Sequence, residues 1–84
     1  MNNSLQIGIG TRIKARRKEL SMSADTLGRM IERDRSTVYR YEREKVDNVS
    51  IKLVEHIAEV LFVTPAYLMG WETIEESNKK VFNR

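Results

Sequence analysis

Between residues 33 and 45 the chain reads RDRSTVYRYEREK. Five cations stand among hydroxyls, acids and two tyrosines in thirteen positions. Guanidinium groups at this density can pair with guanine edges or neutralise phosphates. They can also solvate a helix face, paired with acids one turn away, as Arg40 with Glu44. Helical spacing separates these uses. If Val38 and Tyr41 turn inward, the opposite face carries Arg35, Ser36, Tyr39 and Arg40, with Arg43 near its end. Arginine fits guanine O6 and N7, serine fits several base edges, and tyrosine fits a thymine methyl or a phosphate. Arg33 and Arg43 touch phosphate or nothing.

Such a face needs elements to hold it. Helical periodicity dominates the chain and strand alternation is nearly absent. A first helix over residues 11–20 follows the stripe Ile9, Ile13, Arg17 and Leu20. Ser23 caps a second helix over 24–31, with Leu27 and Ile31 inward. Asp34 caps a third over 35–43. Ser50 caps a fourth, with Leu53, Val54, Ile57, Ala58 and Leu61 inward. Thr64, Pro65 and Gly70 bracket a short fifth helix over 65–69, from which Tyr67, Leu68 and Trp71 close the core. Residues 8–10, GIG, read as a flexible lead, and residues 73–84 as a polar tail, loose or frayed. One domain over 1–72 and a tail over 73–84 result.

The bulk numbers narrow the function. The chain has 84 residues, enough for one small domain. It has no cysteine, so neither disulfides nor thiolate zinc sites are available. No apolar run reaches a membrane span and no signal peptide is visible, which predicts a cytoplasmic protein. Residues 12–45 hold eleven Lys/Arg against six Asp/Glu, a balance of +5; residues 46–84 hold four against six, a balance of −2. The basic half is where a polyanion is met. His56 lacks a second metal-binding neighbour and reads as structural. GIG lacks the preceding strand of a nucleotide loop. Met22, Met30 and Met69 read as packing residues. No catalytic pair, metal site or cofactor site is visible, so no enzyme activity is expected.

RRKELSMSADTLGRMIERDRSTVYRYEREK resembles the Cro/CI-type (XRE) helix-turn-helix domain, and SIKLVEHIAEVLFVTPAYLMGWE resembles the last two helices of the same family. The likeness covers residues 8–72. It implies an all-α, compact five-helix bundle of the lambda-repressor-like type. Carried over by position, the family's base-contacting residues fall on Arg35, Ser36, Tyr39 and Arg40. Three positions depart. Ala24 stands where the family has glutamine, removing a phosphate contact. Glu32 stands where the turn has glycine, so it must take a left-handed conformation or the turn must differ. Arg33 replaces an apolar residue. Similar members also carry a buried ion pair that corresponds to Arg17 and Glu42. Periodicity agrees, since both fall on inward faces, and together they can form a bidentate pair.

Phosphate contacts are expected from helix N-termini and flanking cations: Ser23, Arg33, Thr37, Arg43, Lys45, Asn48, Ser50 and Lys52. Arg12, Lys14, Arg16 and Lys18 read as a solvated flank adding long-range attraction. The expected protein is a DNA-binding transcriptional regulator, a phage or bacterial repressor acting as a homodimer on a palindromic operator. Phe62, Val63, Val81 and Phe82 are candidates for the dimer surface. The rival expectation is a protein-interaction module on the same fold, such as an antitoxin.

Overall fold

Ser23, Asp34, Ser50 and Thr64 each accept the N–H three residues on, at 2.9, 2.8, 3.1 and 3.0 Å. These bonds, in a computed structural model that describes residues 4–43 and 50–82, satisfy donors that a helix start leaves free. The described residues form six helices: α1 (Ser4–Glu19), α2 (Ala24–Met30), α3 (Arg35–Arg43), α4 (Ile51–Val60), α5 (Pro65–Met69) and α6 (Ile74–Phe82).

Four of the helices stop by one device. Ser21, Glu32, Phe62 and Gly70 take φ of 55°, 59°, 59° and 85°. The residue after each donates its N–H five positions back: Met22 to Arg17, Arg33 to Gly28, Val63 to Ala58 and Trp71 to Ala66. This is the Schellman closure, and glycine is its usual left-handed residue. Here only α5 uses glycine. Glu32 adopts the left-handed conformation, the first of the two outcomes that its place in the turn allowed.

The core gathers one stripe from each early helix. Ile9 and Ile13 of α1 meet Leu27 and Ile31, Val38 of α3, Ile57 and Leu61, and Leu68 of α5. The third helix packs on α1 and α2, α5 packs on α1 and α4, and α6 packs on α5. Tyr41 is half-buried against this cluster.

Several expectations are corrected. The first helix begins at Ser4, so GIG lies within it rather than forming a flexible lead. Gly10 has a packing reason to be there: a Cβ would sit 2.5 Å from the Tyr41 carbonyl oxygen and 2.8 Å from that of Glu42. The bundle has a sixth helix. Residues 74–82 are not a loose tail, because Thr73 and Glu76 form a reciprocal capping box at 2.8 and 3.1 Å. Buried Ser77 then accepts the Thr64 N–H at 2.9 Å and docks α6 on the turn before α5. Trp71 does not close the core and is 66% exposed, while Glu72 and Ile74 after it turn back onto the body. Met30 is also exposed rather than packed.

Candidate nucleic-acid interface

The back of α3 is fixed before its front can be useful. Val38 is buried at its centre, and Glu42 is buried one turn later. The Arg17 Nε–H and Nη2–H groups reach the two Glu42 carboxylate oxygens at 2.7 and 3.0 Å. A third donor, Nη1, meets the Met22 carbonyl at 2.9 Å. Side-chain exposure is 8% for Arg17 and 2% for Glu42. The Glu42 hydrogen bonds hold the Arg17 guanidinium above its ordinary pKa, against the opposing pull of burial. A charge out of water is tolerable only when paired and hydrogen-bonded, and both conditions are met here.

The close approach of α1 and α3 completes the anchor, with bare Gly10 against the carbonyls at the end of α3. A second bare position, Gly28, lets the turn after α2 fold tightly, since a Cβ there would lie 2.5 Å from the Arg33 carbonyl oxygen. These two glycines and the ion pair determine how α3 is presented.

The front of α3 carries Arg35, Ser36, Tyr39 and Arg40, all exposed, and Arg43 is exposed at its end. Among the described residues, none of these three arginines forms an ion pair. Arg40 lies over the Tyr41 ring, 5.7 Å from its centroid. At the start of the helix, hydrogen bonds from the Thr37 side chain and backbone hold the Asp34 carboxylate below its ordinary range.

The flanking residues fall into groups. Arg33, Ser50 and Lys52 line one shallow depression of about 290 Å³ between the α2–α3 turn and the start of α4. Arg33 also reaches the Glu32 carbonyl at 3.1 Å. Half-buried His56 lines the same depression, a neighbour that its lone place in the sequence did not signal. Ser23 and Thr37 are drawn into capping: the Ser23 hydroxyl donates to Thr26 Oγ1 at 2.9 Å, and Thr37 faces Asp34. Lys45 and Asn48, and the Glu44 partner considered for Arg40, lie outside the described residues.

The flank of α1 divides. Lys14 and Lys18 are exposed, but Arg12 and Arg16 are half-buried. Arg16 is not a solvated cation. Its Nε–H meets the Leu61 carbonyl at 2.9 Å, and its other donors reach Phe62 O and Glu19 at 3.5 and 3.1 Å. It closes the carbonyl end of α4, a role no residue type could announce because the acceptors are backbone atoms.

Two short helices in a tight turn, with the second held from behind and basic in front, define a helix-turn-helix domain. The model of the Helix-turn-helix family matches residues 13–68, and the chain belongs to this XRE-type, lambda-repressor-like family. It is a family of DNA-binding transcriptional regulators, not of enzymes, and its ligand is double-stranded DNA. Comparison with curated proteins found no match, and neither did comparison with solved structures. Among the described residues no helix is long and apolar enough to cross a membrane, and no cluster of metal-ligating side chains occurs.

Proposed function

We infer that the chain is a repressor that binds a palindromic operator as a homodimer and blocks polymerase. Each copy lays α3 in a major groove, the two grooves lying about 34 Å apart. Arg35, Ser36, Tyr39 and Arg40 read base edges. Arg33, Arg43, Lys45, Asn48, Ser50 and Lys52 hold phosphates, joined by Ser23 and Thr37 through the helix starts they cap.

The observation that carries this reading is the contrast between the two faces of α3. Its back is locked by Val38 and the Arg17–Glu42 pair, while the arginines of its front form no ion pair among the described residues, Arg40 acting on the Asp34 carboxylate only at longer range. One small domain makes few base contacts, which favours two copies on one site.

Selection of bound duplexes from a random pool tests the reading. Wild type should enrich a palindrome. Arg35→Ala and Arg40→Ala should each cost about 1–3 kcal/mol of binding and relax preference at one position per half-site. Lys52→Ala should weaken all duplexes alike and lower the salt slope by about one unit. Enrichment with no symmetry, or unchanged preference in both arginine variants, would overturn it.

A further inference from the structure

The other end of the molecule presents a groove of about 540 Å³ between α4 and α6. Its apolar lining includes Ala58, Phe62, Val81 and Phe82. The rings of Phe62 and Phe82 stack with centroids 6.3 Å apart, yet remain 49% and 60% exposed. Phe62 is also the left-handed residue that ends α4, at φ 59°. An exposed, bulky aromatic is a poor choice for that conformation, and glycine would relieve it. Ser21 and Glu32 hold the same geometry, so what sets Phe62 apart is its exposed aromatic ring and that ring's stack on Phe82.

The charges around the groove indicate what covers it. Its α4 side carries Glu55 and Glu59, exposed and without ion pairs among the described residues. Its α6 side carries Lys80, whose ammonium meets Glu72 at 2.8 Å while the side chain stays 65% exposed. The neighbouring Lys79 is exposed too. Acids and cations thus border one apolar patch without closing on each other. A patch with both signs and a shared apolar centre can complement itself under a two-fold axis. The recognition helix is left free, since α3 packs on α1 and α2 while α6 packs on α5.

We propose that this groove is the face through which two copies of the chain associate, α6 of each copy seating its lysines against Glu55 and Glu59 of the other across the Phe62–Phe82 stack. The inference rests on the dimeric reading above and names its surface.

Sedimentation equilibrium of the full chain without DNA tests it. Wild type should self-associate. Phe82→Ser should weaken association at least about tenfold, as loss of a central aromatic anchor does. Glu59→Lys and Lys80→Glu should each weaken self-association about tenfold, by bringing like charges together. An equimolar mixture of those two variants should recover it, because both cross-contacts then regain opposite signs. Circular dichroism melts check that each variant is folded, and binding to a single half-site duplex should be unchanged. That last measurement separates the two readings: loss of half-site binding by wild type tells against DNA recognition, not against this face. A chain monomeric to about 1 mM, variants that associate like wild type, or a mixture that fails to recover would each overturn the proposal. Recovery only on adding an unrelated basic helix would assign the groove to a different partner and overturn it as well.

Discussion

Arg17 and Glu42 meet out of water behind α3, whereas Glu72, its side chain only 8% exposed, meets a Lys80 on α6 that stays 65% exposed. The first pair carries burial on both partners and aligns a helix through two parallel hydrogen bonds. The second belongs to a chain of lighter contacts in which Thr64 donates its hydroxyl to Glu72 and its N–H to Ser77. Lys80 pulls the Glu72 carboxyl below its ordinary range, and Glu72 raises Lys80 in return. A helix that must be aimed is fixed by groups that cannot tolerate separation. The helix that covers the turn before α5 is held by single hydrogen bonds shared among Thr64, Ser77, Glu72 and Lys80.

The sharpest way to break that contrast is to remove one buried charge. Arg17→Met should cost roughly 3–5 kcal/mol in urea unfolding, because Glu42 is left buried and alone. Arg17→Met with Glu42→Leu should recover much of the loss. Equal losses in single and double variants would show that the pair is not buried as a unit. At the other end, Ser77→Ala removes the acceptor of the Thr64 N–H and should cost about 1–3 kcal/mol. It should loosen α6 without changing half-site DNA affinity, read by amide exchange and by titration. A DNA defect in that variant would mean the two ends are not independent.

A smaller effect runs in the stabilising direction. Glu32→Gly should gain about 1 kcal/mol, seen as a raised melting midpoint, since glycine has no penalty at φ 59°. The smallest effect is a pH dependence. Asp34 has a depressed carboxyl pKa, so its contribution is full at neutral pH and is lost as pH falls through the carboxylate range below about 4. The raised Arg17 value adds no slope there, because a raised base gives its full stability below the ordinary arginine range. Asp34→Asn keeps an acceptor but removes the titration. Melts from pH 7 to pH 3 should therefore show a shallower acid loss in that variant.

Much of the fold was legible because its signals are local. Ser23, Asp34, Ser50 and Thr64 announce helix starts through the oxygen each carries. The stripe through Ile9, Ile13 and Arg17 announces a buried face, and so placed the arginine inward. What escaped depends on partners distant in sequence. Gly8 and Gly10 looked like looseness until the end of α3 was seen to press on Gly10. Ser77 lies in the run that reads as a polar tail, and its burial follows from accepting the Thr64 N–H thirteen residues back. The capping box at Thr73 and Glu76 stands in the sequence at its usual spacing, inside a polar run that reads as carrying no capped pattern. Ser21 and Phe62 end helices without the glycine that usually marks such ends. On the site itself, the exposed face of α3 follows from spacing, while the grouping of Arg33, Ser50, Lys52 and His56 required the turn to fold back toward α4.

Arg16 and Arg17 are adjacent in sequence yet grip opposite neighbours, the carbonyl end of α4 and the carboxylate of α3. Successive residues on a helix point about 100° apart, so α1 cannot roll about its axis without releasing one of them. The helix therefore works as a keyed axle between α3 and the carbonyl end of α4. In the proposed dimer, two copies joined through their α4–α6 grooves would present their α3 helices at a nearly fixed pitch, and an operator of the wrong spacing would have to be met by twisting or bending the duplex, at an energy set by the bases in the untouched middle.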